Sequence, residues 1–145
     1  MFVTESLKSK IFVLTDVLHE TAGYMNVAFV LVDPVSEEHD ALMEKAMERL
    51  VHIAIEGIAD IGNLLIDTLV MRDAASYADI IDILSDEHVI TSDVAEVLLP
   101  MLEFRRTLMQ DYQSAHAAKV LKFVEHASYI DQFADQVTEY LKNNE

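Results

Sequence analysis

A chain of 145 residues that is 52% hydrophobic has the length of one ordinary domain, residues 1–145, and would bury roughly 70% of its unfolded surface on folding. The absence of cysteine excludes a disulfide framework and a thiolate metal site and points to the cytosol. A net charge of -16 repels polyanions over most of the surface, which argues against indiscriminate nucleic-acid binding and against DNA as a ligand.

Only 3 Gly and 2 Pro interrupt stretches rich in Ala, Leu, Met, Glu and Asp, so an all-α fold is expected. The N-terminal "MFVTESLKSKIFVL" lacks a basic segment, a long apolar run and a small-residue cleavage site. The longest apolar run, "VAFVLV", is too short to span a bilayer, so neither export nor membrane insertion is expected.

The first helix is expected from about Glu5 to Leu31, with Ile11, Leu14, Val17, Leu18, Met25, Ala28 and Phe29 at helical spacing. Pro34 stops it. The second opens at Ser36, with Glu37 and Glu38 in its first turn, and runs to about Met71 as one very long central helix. Its apolar stripe of Met43, Met47, Leu50, Ala54, Ile58, Ile61 and Leu65 is widened by Ile53, Ile55, Leu64 and Ile66, so burial on several sides is expected. Arg49, His52, Glu56, Asp60, Asn63 and Asp67 stack along the remaining edge, which faces solvent or a cleft.

A third helix fits "YADIIDILSD", with Ser76 as its cap and Asp79 three residues on. A fourth starts near Ser92 and carries Pro100, which should kink or break it. A fifth covers roughly Ser114 to Leu141, offering Ala118, Leu121, Val124, Tyr129, Phe133, Val137 and Tyr140 to the core. About five helices in one antiparallel bundle follow.

Between the fourth and fifth helices lies "FRRTLMQDYQSAH", where local charge reverses. Arg105, Arg106, Lys119 and Lys122 are four of the ten basic residues, and Asp111 is the only acid between the first and last of them. Together with "HIAIEGIADIGNLLI" and "SYADIIDILSDEHVI", this stretch resembles the HepT-like family of the HEPN superfamily, over about His52 to Tyr112 with helices on either side. The family signature is Arg, usually Asn, three variable residues, His, one variable residue and Tyr. Arg105 and Tyr112 match it, whereas Arg106 stands at the Asn position and Gln110 at the His position.

The resemblance implies an all-helical homodimer whose paired motifs form a cleft. In active members it implies a metal-independent ribonuclease toxin, controlled by a nucleotidyltransferase that can modify the motif tyrosine, here Tyr112, with AMP. Cleavage through the RNA 2′-hydroxyl needs a proton-transfer group and a cation on the phosphoryl oxygens. Arg105 can supply the cation through its planar fork. Gln110 does not titrate near neutral pH, and its presence should cost roughly 10² to 10⁴ in rate. A retained cleft for RNA or nucleotide with impaired catalysis is expected, the alternative being a non-catalytic dimeric module that binds a nucleotidyltransferase or another protein.

Asp111 and Tyr112 remain as titratable motif neighbours. His116 lies about 9 Å beyond Gln110 if the helix is continuous, and reaches the motif only through a break near Asp111 to Ser114. Glu56 and Asp60 would sit opposite the arginines, holding Arg105 or shaping the cleft. Plainer readings stand beside these: the arginines pair with Glu103 or Asp111, Tyr112 is a core tyrosine, and the polar edge of the second helix is simply wet. The Glu-x-x-His pairs of di-iron bundles, phosphate-binding glycine loops and nucleophile elbows are all missing, so no metal or cofactor is expected. The wide apolar surface of the second helix, with the composite cleft the resemblance implies, leads to the expectation of a homodimer.

Overall fold

The structure is a computed structural model that describes residues 3–31, 37–114 and 116–144, with backbone alone for 37–40. The expected stop at Pro34 and cap at Ser36 lie outside the described residues. Every regular element among the described residues is a helix: α1 (Glu5–Leu31), α2 (Glu37–Thr68), α3 (Tyr77–Asp86), α4 (Ser92–Glu103), α5 (Arg105–Gln110), α6 (Ala117–Glu125) and α7 (Ala127–Asn143).

The 32 residues of α2 make a rod about 48 Å long, against which α1, α3, α4, α5 and α6 all pack. Its breadth of apolar positions is used within the chain: Val51, Ala54, Ile55, Ile58, Ile61, Leu65 and Ile66 are buried, each large side chain contributing about 1.5–3 kcal/mol by leaving water. The surface expected to drive dimerisation is therefore largely consumed by the other helices. Among the described residues α1 carries the largest share of the exposed apolar side chains, Val13, Val17, Tyr24, Val27 and Leu31 among them. Val17 and Phe29, though at helical spacing with the buried Ile11, Leu18 and Met25, are among the exposed residues.

Leu18 of α1 lies against Gly57 of α2, while Lys10, two turns earlier, shares a groove with Asp67, so the two helices run antiparallel. Gly57 and Gly62 sit where neighbours come closest. A Cβ on Gly57 would stand 2.8 Å from Leu18 Cδ2, and one on Gly62 would collide with Ile80 Cγ2 of α3. Across the bundle, His19 of α1 faces two α7 carboxylates, with Nδ1 2.6 Å from Asp131 and Nε2 3.2 Å from Asp135.

Helix ends follow the expected chemistry in part. Ser76 Oγ accepts the Asp79 N–H at 3.1 Å, as its capping position predicts. The α2 terminus comes slightly before Met71: Val70 adopts φ 53°, and Met71 N–H donates to the Ile66 carbonyl at 3.0 Å, the closure of a Schellman motif. The fourth helix passes through Pro100 and ends at Glu103, where Phe104 N–H is shared between the Pro100 and Met101 carbonyls at 3.0 and 3.1 Å. The expected fifth helix is two, α6 and α7, separated at His126 (φ -92°, ψ 23°). It also begins later than Ser114, leaving Ala118 exposed. No helix among the described residues is long and apolar enough to cross a membrane.

Candidate functional site

The short helix α5 is pinned at its start by Phe104, which is 3% exposed. Its ring packs against Phe123 of α6 at 5.2 Å between centroids. With Phe104 turned inward, the next residue, about 100° further round the helix, reaches across to α2 and α3.

Arg105 Nε donates to Glu56 Oε1 at 2.7 Å, its guanidinium carbon lies 4.2 Å over the Tyr77 ring, and the Tyr77 hydroxyl donates to Glu56 Oε2 at 3.0 Å. One carboxylate thus orients an arginine and the aromatic face beneath it. The polar edge of α2 extends this cluster. His52 Nε2 is 3.5 Å from Glu56 Oε1, and Arg49 Nη1 lies 3.1 Å from His52 Nδ1; because a guanidinium only donates, Nδ1 is the acceptor.

Partial burial pushes the Glu56 carboxyl up, but hydrogen bonds from Arg105 and Tyr77, with the nearby charge of Arg105 and His52, outweigh it and hold Glu56 below the usual carboxylate value. The hydrogen bond to Glu56 correspondingly raises Arg105. Burial, then the bond to Glu56, raises Tyr77. Arg105 therefore remains a cation beside an ionised carboxylate. Among the described residues its terminal nitrogens make no protein hydrogen bond, and the side chain lines a cavity of about 480 Å³ with Arg106, Ser76, Tyr77 and Leu102.

Arg106, though it lines the same cavity, donates from Nε to Gln110 Oε1 at 3.2 Å along the same helix. Gln110 is exposed and serves as the acceptor for that arginine. Tyr112 is 74% exposed, so the reading of it as a core tyrosine is excluded. Lys119 Nζ lies 5.6 Å from the Phe104 ring centroid, close to the motif helix, while Lys122, one turn further on, is exposed and makes no ion pair among the described residues.

The polar edge of α2 divides. Glu56 meets the arginine motif, whereas Asp60 lines a separate groove of about 540 Å³ with Lys10, Leu14 and Asn63, where burial and the charge of Glu56 raise its carboxyl. Among the described residues no three His, Asp or Glu side chains gather in a way that could hold a metal ion.

His116 departs from the continuous-helix expectation. Helix α5 stops at Gln110, and Asp111 (φ -111°, ψ 48°) starts a turn in which its carbonyl accepts from Ser114 N–H at 3.3 Å and its carboxylate from Ser114 Oγ at 2.8 Å. The chain folds back, and His116 meets the Phe104 ring edge-on at 5.6 Å, with Nε2 3.0 Å from the Asp111 carbonyl. Tyr77 is the site residue that sequence reasoning failed to place, whereas His116 meets the motif helix through the break near Asp111 to Ser114 that the sequence left open as the alternative. The aromatic directly after the Ser76 cap was the available signal for Tyr77.

Residues 33–139 match the family model described as Ribonuclease HepT-like. YutE of Bacillus subtilis strain 168, described as a candidate RNase, is 33% identical over 126 residues, which are 86% of this chain and 88% of YutE. The solved structure of YutE, described as a cytosolic protein of unknown function, has a TM-score of 0.75 at 31% identity and covers 99% of this chain and 95% of its own. A tri-AMPylated HEPN toxin of Shewanella oneidensis in complex with an MNT antitoxin has a TM-score of 0.76 at 18% identity, covering 89% of this chain and 96% of that one. At that identity the likeness is one of fold.

Proposed function

The chain belongs to the Ribonuclease HepT-like family, and from that premise we propose that it is a HEPN protein that binds RNA in the Arg105 cleft while cleavage at the motif histidine position is disabled by Gln110. The observation that carries this reading is the arginine itself. Glu56 engages Arg105 through Nε alone at 2.7 Å, which leaves the terminal nitrogens for a phosphoryl oxygen, the bidentate role a guanidinium performs best. Arg106 lines the same cavity, and Lys119 adds charge near Phe104, its Nζ 5.6 Å from the ring centroid. Gln110, hydrogen-bonded to Arg106, has no proton to exchange near neutral pH.

The deciding experiment compares the native protein with Gln110→His on a labelled single-stranded RNA in the presence of a chelator. The variant should cut about 10² to 10⁴ times faster. Equal rates would show that the histidine position is irrelevant to this scaffold.

A second reading, binding of a nucleotidyltransferase, is favoured by the exposure of Tyr112, which leaves its hydroxyl open to a transferase, and by the fold shared with a toxin that carries AMP and binds an MNT antitoxin. Incubation with ATP and a cognate transferase should add AMP at Tyr112, detectable by mass spectrometry; an unmodified tyrosine would count against it. The chain pairs with a second copy through the exposed apolar side of α1, where Val13, Val17, Tyr24, Val27 and Leu31 lie. Light scattering that returned a monomer across micromolar concentrations would dispose of this pairing.

A further inference from the structure

Gln110 leaves the motif without a proton-transfer group, yet an imidazole is held at the other end of the same short helix. We propose that His116 is the catalytic base for whatever RNA cleavage this chain performs, acting from outside the motif through the break after Gln110. The inference rests on the RNA-binding reading of the Arg105 cleft and asks a different question, namely which group moves the proton.

The geometry settles the tautomer. His116 Nε2 lies 3.0 Å from the Asp111 main-chain carbonyl, and a carbonyl can only accept, so Nε2 carries the hydrogen. The Asp111 carboxylate stands 3.6 Å from the same nitrogen and is itself fixed by Ser114 Oγ at 2.8 Å. The ring is held further by a T-shaped contact with Phe104 at 5.6 Å between centroids, and its side chain is only 14% exposed. Nδ1 has no protein partner among the described residues, so its lone pair is available. A main-chain carbonyl that fixes the hydrogen on one imidazole nitrogen leaves the other free to accept a proton, the arrangement a general base needs.

Position supports the assignment. Phe104, which the imidazole touches, immediately precedes Arg105, and Asp111, which orients the imidazole, immediately follows Gln110. The imidazole, itself just ahead of α6, is thus tied to the residues that flank both ends of α5, the six-residue helix that carries Arg105, with Lys119 5.6 Å from the same Phe104 ring. Continuous helix through Asp111 would carry His116 away from Phe104; the Asp111–Ser114 turn returns it.

The step is a transesterification. The RNA 2′-oxygen forms a bond to the adjacent phosphorus and its proton passes to His116 Nδ1. The bond from phosphorus to the 5′-oxygen breaks, and that oxygen takes the proton back from the imidazolium. Products are a 2′,3′-cyclic phosphate and a 5′-hydroxyl, with His116 restored and no metal or redox partner required.

The test is single-turnover cleavage of a labelled single-stranded RNA in chelator, with end-group analysis, by the full chain and its His116→Gln, His116→Gly, Arg105→Ala and His126→Gln variants. Glutamine keeps an N–H for the Asp111 carbonyl, and circular dichroism verifies the helix content of each variant. The expected result is slow cleavage by the native chain to a cyclic phosphate, a fall of roughly 10² to 10⁴ in His116→Gln, no change in His126→Gln, and partial recovery of His116→Gly by added imidazole, which a merely structural role would not produce. If His116→Gln cuts at the native rate while Arg105→Ala does not cut, the inference fails and the cleft reading stands. If the native chain cuts no faster than Arg105→Ala, His116 is no base; RNA affinity that also fails to fall in Arg105→Ala would sink the cleft reading with it.

Discussion

Glu56 Oε1 and Arg105 Nε lie 2.7 Å apart although 49 residues separate them in sequence, and Tyr77 joins the pair by donating its hydroxyl to the other carboxylate oxygen at 3.0 Å. The triad ties the middle of α2 to the starts of α3 and α5. Since about a third of both charged side chains is exposed, solvent screens the pair, and a double-mutant cycle of Glu56→Gln with Arg105→Gln should return a coupling of about 1 kcal/mol, below what a buried pair gives. Tyr77→Phe, which strips one donor from the carboxylate, should cost about 1 kcal/mol as well. A coupling indistinguishable from zero in urea unfolding would mean that the contact does not position Arg105.

Acid should loosen the molecule in a defined window. The hydrogen bonds from Arg72 at 2.8 and 2.9 Å, then that from the Ala75 amide, lower the Asp79 carboxyl from its ordinary 3.8 to about 2. Its folded value lies below its unfolded one, so the stabilisation is complete above about pH 4 and disappears as pH falls towards 2. Glu56 is lowered too and acts with the same sign, whereas Asp60 is raised by burial and by Glu56 and acts with the opposite one. The melting temperature should therefore fall between about pH 4 and 2, and Asp79→Asn should flatten that fall. An unchanged slope in the variant would exclude Asp79 as a main contributor.

The two packed glycines of α2 should respond differently to alanine. At Gly62 the added methyl meets Ile80 Cγ2, part of a β-branched side chain that has one favoured rotamer in a helix and cannot swing aside. Gly62→Ala should lose about 1–3 kcal/mol. At Gly57 the obstacle is Leu18 Cδ2 at 2.8 Å, the far end of a flexible side chain, and the gain of about 1 kcal/mol in helix propensity offsets the shift it must make. Thermal unfolding that ranked Gly57→Ala below Gly62→Ala would reverse this account of the α2–α3 crossing.

The helices were legible where local chemistry decides them. The span of α1 follows from apolar spacing, and the start of α3 follows from Ser76, whose hydroxyl takes the Asp79 amide as a cap should. The polar edge of α2 showed that Glu56 could face Arg105, and it does. Asp60, one turn along, turns to the α1 groove instead, a distinction of rotation about the helix axis that only packing fixes. The breaks at Phe104 and His126 were invisible because neither has a Gly or Pro to mark it, and the break near Asp111 was legible only as the alternative to a continuous helix. At Asp111 the break is stabilised by hydrogen bonds from Ser114 and His116, residues equally at home in a helix. Tyr77 was missed for a related reason: an aromatic in a first helical turn reads as core until the arginine that lies over it is located.

Val70 offers a stabilising substitution far from the cleft. It occupies the position just past α2 with φ 53°, where Met71 N–H reaches back to the Ile66 carbonyl at 3.0 Å, and this left-handed conformation crowds the Cβ of a β-branched residue. Glycine is the usual occupant because it has no Cβ to crowd. Val70 is 83% exposed, so removing its side chain forfeits almost no packing. Against the relief of roughly 1–3 kcal/mol of local strain stands the larger conformational freedom glycine brings to the unfolded chain, about 1 kcal/mol. Val70→Gly should therefore gain about 1 kcal/mol and raise the melting temperature by about 3 °C for a chain of this size. His88, with φ 59° in the equivalent place after α3, where Val89 N–H donates to the Leu84 carbonyl at 2.9 Å, is less crowded because histidine is not β-branched and tolerates this region better. His88→Gly should gain less than Val70→Gly. If calorimetry found Val70→Gly neutral or destabilised, the strain at the end of α2 would be too small to matter.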